Sequence, residues 1–259
     1  MSDELLYEVR DSIGYVTFNR PQARNAMIFS MYERLAEICT NANTDAAIKA
    51  LVLTGAGEKA FAAGTDISQF REFKTQQDAL DYESKIDRVL GVLESCKKPT
   101  IAAIAGACTG GGAGMALSCD LRIGMVNTRI GFPIARTLGN CLSMANYARL
   151  VSLIGPARVK DIVFTSRLVE AEEAKAIGMI NEILPDHAAL QARAEALAKL
   201  VAGQAPLTLQ ATKEALRRLK ERASEGMEKD LILMCYMSND FREGMEAFLG
   251  KRAPVWTGS

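Results

Sequence analysis

Residues 100–126 read TIAAIAGACTGGGAGMALSCDLRIGMV, and the order of signals within them decides the fold class. Thr100–Ala105 is a short run of small and β-branched apolar residues, which predicts a buried strand. Gly106–Gly114 (GACTGGGAG) follows as a glycine-rich loop feeding a short helix at Met115–Ser118. Asp120–Val126 reads as the next strand. Strand, loop, helix and strand in this order belong to an α/β chain with parallel strands.

Working outward, Ile48–Thr54 (IKALVLT) has the same buried-strand character. It is followed by Phe61–Ile67 (FAAGTDI), a second loop of small residues. Asp78–Cys96 predicts a helix with Tyr82, Ile86, Val89 and Leu93 on one face, stopped by Pro99. Nearer the start, Leu5–Val9 and Gly14–Asn19 alternate around a turn at Asp11–Gly14 and predict a hairpin. Ser30 and Glu33 have capping-box spacing, so a helix is expected to begin there and bury Met31, Leu35 and Ile38. Beyond Gly131-Phe132-Pro133 come a loop and a helix that ends near Ile154-Gly155. No strand is expected after Ile180–Leu184.

From Pro185 the chain reads as helical. One apolar stripe runs through Leu209, Thr212, Leu216 and Leu219, another through Met227, Leu231, Met234 and Phe241. The expected division is an α/β body, 1–195, and a helical region, 196–259. The stripes of that region either pack on the body as a second layer or meet other subunits.

The 259 residues are 49% hydrophobic and 24% charged, which excludes a disordered chain. Lys plus Arg and Asp plus Glu are both 31, so there is no basic excess to hold nucleic acid. The longest apolar runs, Ala50–Leu53 and Ile101–Ala105, are far short of a membrane span. The opening MSDELLYEVR has no signal-peptide pattern, so a cytoplasmic protein is expected. Cysteines stand at 39, 96, 108, 119, 141 and 235 without a Cys-x-x-Cys pair, and His187 is the lone histidine. Reduced thiols and no metal site are the expectation.

The two small-residue loops carry the chemistry. Uncovered amides beside a helix N-terminus make an anion site. Two such loops converging offer two N–H donors to one developing oxyanion, worth about 3–4 kcal/mol per donor. A P-loop is excluded, because Gly112 and Ala113 stand where Lys and a hydroxyl residue are required. The dinucleotide fingerprint fails as well, since Gly110 and Gly112 lead to Met115. Glycines that merely let a helix pack closely on a strand are an equal reading of the run taken alone.

Further pieces run the length of the chain in order: Phe18-Asn19-Arg20-Pro21 with Asn25-Ala26, Leu51–Gly55, Lys59–Ile67, Lys98–Ile104, Gly110-Gly111-Gly112 and Cys119–Ile123. Gly131-x-Pro133, Glu172-x-Ala174 with Ile177–Ile180, and Glu243–Arg252 complete them. In this order the chain resembles the crotonase (enoyl-CoA hydratase/isomerase) superfamily. The resemblance implies a crotonase-like spiral of ββα units with a C-terminal helical trimerisation region, assembled as a homotrimer or a dimer of trimers. It implies an acyl-CoA substrate, with coenzyme A present only as part of that substrate and no separate cofactor. The thioester oxygen would sit between the backbone amides of Thr65 and Gly111. The adenine would lie by Ala23, Arg24 and Ala63, with Arg24 and Lys251 near the phosphates. Asp66, Ile67 and Phe248 would border the same ligand, Asp66 also bracing its loop, while Arg20 and Asn25 are structural.

The resemblance also marks a departure. The two glutamates of the hydratases fall at Gly114 and Ile134, so both acids are missing and standard hydration is not expected. The stretch Arg136–Tyr147 (RTLGNCLSMANY) departs from the family pattern too. It offers Arg136 as a partner for a substrate carboxylate and Cys141 as a nucleophile lacking a nearby base. The expected activity is enolate stabilisation on an acyl-CoA thioester. Decarboxylation of a malonyl-type thioester and a thioester hydrolase or lyase are the alternatives, and a non-catalytic CoA-ester-binding homologue is the alternative of another class.

Overall fold

The computed structural model describes residues 4–221, 229–257 and 259. The chain opens with the expected hairpin, β1 (Leu5–Arg10) and β2 (Ile13–Phe18). Helix α1 (Phe29–Thr44) leads to β3 (Ala50–Gly55) and the short β4 (Ala60–Ala62). A 3-10 turn, Ile67–Glu72, precedes α2 (Gln76–Glu94). Then follow β5 (Thr100–Ile104), β6 (Ala107–Thr109), α3 (Gly111–Ser118) and β7 (Leu121–Met125). Next are β8 (Arg129–Gly131), α4 (Ile134–Thr137), α5 (Met144–Thr165), β9 (Val169–Glu170), α6 (Ala171–Ala176) and β10 (Glu182–Leu184). The remaining helices are α7 (His187–Ala202), α8 (Pro206–Glu221), α9 (Lys229–Tyr236) and α10 (Asn239–Leu249).

A six-stranded sheet has the order β1-β2-β3-β5-β7-β10, and a four-stranded sheet the order β4-β6-β8-β9. From β2 to β10 every pair in the large sheet is parallel. Successive strands alternate between the two sheets and then pass into a helix: β3-β4-α2, β5-β6-α3, β7-β8-α4. The chain therefore winds as a spiral of strand-strand-helix units.

The central strands of the large sheet, β3, β5 and β7, are buried on both faces, which is why they read as unbroken apolar runs. Leu51, Leu53, Ala102 and Ile104 face the core shared with α1, α2 and α3. Ala50, Val52, Ile101 and Ala103 face the other way, against Leu190, Ala194 and Ala198 of α7. Small residues on α7 let that helix approach the sheet closely. Each fully buried Leu, Ile or Val contributes about 1.5–3 kcal/mol. A third cluster, with Phe70, Leu138, Tyr236 and Phe241, joins the 3-10 turn to the C-terminal helices.

Several expectations are corrected. Ser30 is not a cap: α1 begins at Phe29 after Ile28, with no side-chain cap of its own. Gln69 Oε1 instead accepts from the Phe29 N–H at 2.9 Å, a tertiary partner that local spacing cannot show. The capping box belongs to Thr75 and Asp78 at the start of α2. Gly106–Gly114 is not all loop, because Ala107–Thr109 pairs in parallel with both β4 and β8. Nor does α3 wait for Met115; its glycines start the helix at Gly111, where a Cβ on Gly112 would meet the Ala62 carbonyl oxygen at 2.1 Å. Strands β8 and β9 are too short to read from pattern.

The division expected at 195/196 falls inside α7. The two apolar stripes separate: Phe241 is in the core, whereas Leu216, Leu219 and Met234 are 63%, 69% and 67% exposed. Met227 and the side chain of Leu231 lie outside the described residues. Among the described residues no helix is long and apolar enough to cross a membrane.

Candidate active site

Strands β4 and β6 lie side by side in the small sheet, so the loops that follow them leave the same sheet edge together. The first loop turns at Gly64 with φ 98°, the second at Gly110 with φ 53°, a region where glycine has no steric penalty. A Cβ on Gly110 would lie 3.6 Å from Cα of Gly64, so the loops are in contact. The Met27 N–H donates to the Gly64 carbonyl and the Asp66 N–H to the Met27 carbonyl, each at 2.8 Å. These bonds flank Thr65 and leave its N–H out of the bridge. Gly111 opens α3, where first-turn N–H groups have no intrahelical acceptor. Among the described hydrogen bonds neither amide is a donor. Thr65 and Gly111 line one cavity of about 810 Å³.

A hydroxyl relay fixes these loops. Thr65 Oγ1 lies 2.9 Å from the Tyr32 hydroxyl and 2.8 Å from the Tyr82 hydroxyl. The tyrosines come from α1 and α2, and burial pushes both phenols up, so they stay neutral. A Cβ on Gly111 would fall 2.1 Å from the Tyr32 oxygen, so this position has room for glycine alone.

The same cavity gathers the sequence candidates, Arg136 excepted. Ala23, Arg24 and Ala63 stand together, tied by the Ala63 N–H donating to the Arg24 carbonyl at 3.1 Å. Phe248 and Lys251 reach the cavity from the C-terminal end. Asp66 caps the 3-10 turn that begins at Ile67. Burial raises its carboxyl, but hydrogen bonds from Ser68 and Arg20 outweigh that and hold it below the ordinary range. Gly114 and Ile134 are both buried in the wall. Beside Gly114, Leu90 and Asn146 Oδ1 would stand 3.1 and 3.6 Å from an added Cβ. Arg136 is exposed on α4 and points to no part of this lining. His187 opens α7, 3.3 Å from Gln191, also outside the cavity.

Cys141 borders the cavity with its thiol paired to that of Cys235. This pairing and burial push Cys141 up, and the same bond holds Cys235 down at about 7. An activated nucleophile requires the opposite shift at Cys141.

Asn146 and Glu83, which sequence reasoning passed over, also line the cavity, each held by polar partners. Asn146 Nδ2 donates to Ser143 Oγ at 3.1 Å, and Ser143 Oγ to Asp87 at 2.6 Å. Arg149 donates to Asn146 Oδ1 at 3.2 Å and to Glu94 at 3.1 Å. Glu83 is 6% exposed, borders the cavity and accepts a hydrogen bond from Tyr236. Glu83, Ile86 and Leu90 recur at i, i+3 and i+7, so the carboxyl group shares the inner apolar stripe of α2. That misplaced charge was the available signal.

The family model described as enoyl-CoA hydratase/isomerase matches residues 8–259. The short-chain-enoyl-CoA hydratase of Clostridium acetobutylicum is 31% identical over 253 residues, covering 96% of each chain. The solved enoyl-CoA hydratase/isomerase of Pseudoalteromonas atlantica superposes with a TM-score of 0.86 at 27% identity, over 98% of this chain and 100% of that one. A methylmalonyl-CoA decarboxylase, solved with 2-nitronate-propionyl-CoA, reaches a TM-score of 0.90 at 26% identity over 100% of both chains. With the spiral, the paired loops and these likenesses together, the chain belongs to the enoyl-CoA hydratase/isomerase family.

Proposed function

We propose that this protein is a CoA-thioester enzyme that stabilises an enolate between the amides of Thr65 and Gly111. The observation that carries this reading is the pair of undonated N–H groups, on touching loops, bordering one cavity. A thioester oxygen placed there gains negative charge as an enolate forms, and fixed donors in a dry wall stabilise it more than the neutral carbonyl. The N-terminus of α3 adds its partial positive charge at Gly111. Arg24 and Lys251 hold the CoA phosphates as surface cations, and the Ala23–Arg24 loop with Ala63 receives the adenine.

Hydration of a double bond requires groups that position water and deliver a proton. Gly114 and Ile134 supply neither, so the chemistry centres on the carbon next to the thioester. Proton transfer at that carbon is the reading favoured here. Decarboxylation of a malonyl-type thioester is the second, favoured by the TM-score of 0.90 to a methylmalonyl-CoA decarboxylase. It needs only the oxyanion site, because departing carbon dioxide leaves its electron pair on the α carbon.

A panel of saturated, 2-enoyl, 3-enoyl and malonyl-type CoA thioesters tests the proposal, with binding and product followed for each. Product from a 3-enoyl or malonyl-type thioester is expected. Tight binding throughout with no product would replace the enzyme by a non-catalytic CoA-ester-binding protein.

A further inference from the structure

We infer that Glu83 is the catalytic group that carries the proton to and from the α carbon of the thioester, an inference that rests on the enolate reading above. Among the described residues two carboxyl-bearing side chains border the cavity, Asp66 and Glu83. Asp66 is tied to Arg20 and Ser68 and caps its own turn. Glu83 stands instead on the stripe of α2 that faces the bound ligand's space, with Ile86 and Leu90 beside it.

Its neighbour in sequence, Tyr82, is bonded to Thr65 Oγ1 at 2.8 Å, which places this turn of α2 directly behind the first oxyanion donor. The Tyr82 ring packs against that of Tyr236, centroids 6.1 Å apart, and the Tyr236 hydroxyl donates to the Glu83 carboxylate. Asn140 in turn donates to the Tyr236 oxygen at 3.2 Å. Tyr236 and Asn140 are thus positioning residues that aim the carboxyl group. A carboxyl group in such an apolar wall is costly, and a purely structural tie between α2 and α9 needs no ionisable group. Glu83 also answers the departure at Gly114 and Ile134, by bringing a carboxyl group to the cavity from a different helix.

The step balances without any co-reactant. The Glu83 carboxylate takes the α proton, the C–H electron pair moves into the enolate, and the thioester oxygen takes the charge between Thr65 and Gly111. The carboxylic acid so formed returns a proton to the α carbon or, in a 3-enoyl thioester, to the γ carbon.

The test is exchange of α hydrogens with deuterated water, read by mass spectrometry on saturated acyl-CoA thioesters from acetyl to hexanoyl. The unmodified protein should exchange. Glu83→Gln should lower the rate by about 10²–10⁴-fold with acyl-CoA binding retained, a loss that a structural role would not produce. Glu83→Asp, which keeps the charge and shortens its reach, should slow exchange at least tenfold with the fold intact; it serves alone should the glutamine variant unfold. Tyr236→Phe should slow exchange less than Glu83→Gln. Unchanged exchange in Glu83→Gln, or in Glu83→Asp, overturns Glu83 and leaves the enolate reading standing. No exchange by the unmodified protein on any thioester overturns Glu83, and the enolate reading falls with it when malonyl-type thioesters also give no product.

Discussion

Oγ1 of Thr65 and the phenolic oxygen of Tyr32 are 2.9 Å apart, and that same Tyr32 oxygen fills the place a side chain at residue 111 would need. One buried tyrosine therefore braces both loops, at Thr65 and at Gly111. Thr65→Val keeps the shape but strands two buried phenols, and should destabilise the fold by about 1–3 kcal/mol. Because the backbone amide survives while its loop loosens, kcat should fall more than KM rises. Thr65→Ser should restore both. Urea denaturation and steady-state kinetics on the three proteins check this, and an unchanged Thr65→Val would remove the relay from the account.

Crotonyl-CoA hydration by the unmodified protein should be very slow or absent. The structure shows why restoring an acid is not a single step: a Cβ at Gly114 meets Leu90 at 3.1 Å. Gly114→Glu alone should destabilise, whereas Gly114→Glu with Leu90→Ala and Ile134→Glu should gain hydratase activity. Ala135→Glu serves as the parallel variant for the second acid. Brisk hydration by the unmodified chain, followed at the enoyl absorbance, would contradict the reading of the missing acids.

Asp87 accepts from Ser143, which in turn holds Asn146 of the cavity wall, and burial raises its carboxyl against the opposing pull of Ser143 and Arg149. A folded-state value above the unfolded one means the native chain binds more protons, so stability from this group falls as pH rises through that window. Asp87→Asn keeps an acceptor for Ser143 and removes the buried charge. It should equal or exceed the unmodified protein in stability at pH 7, with the advantage shrinking as pH falls through the raised value of Asp87 towards the ordinary aspartate range. Thermal melts at two pH values decide it; a marked loss at pH 7 would show that the charge is needed by Arg149.

Leu216 and Leu219, 63% and 69% exposed on α8, form an apolar face with no cover among the described residues. Assembly into three or a multiple of three subunits is expected. Leu216→Glu with Leu219→Glu should shift the mass by light scattering towards a single chain. A monomeric unmodified protein at micromolar concentration would sink the expectation.

The body of the fold was legible because a sheet buried on both faces writes unbroken apolar runs, as at Leu51–Leu53 and Ile101–Ala105. The meeting of the two small-residue loops was legible for a related reason: backbone can approach backbone only where side chains are small, and Gly64 and Gly110–Gly112 advertise that approach. What stayed hidden depends on partners distant in sequence. Gln69 caps α1 from another element, and Ala107–Thr109 is a strand only because β4 and β8 flank it. Glu83 was hidden by its setting, since the stripe through Tyr82, Ile86, Val89 and Leu93 explains α2 without it. Its partner Tyr236 lies 153 positions further along the chain.

The central claim is the pair of oxyanion amides, and a crystal structure with bound butyryl-CoA tests it most directly. The account predicts the thioester oxygen within roughly 2.7–3.1 Å of both the Thr65 and the Gly111 nitrogens. A thioester oxygen turned into solvent, or held by a side chain while either amide points elsewhere, would contradict it.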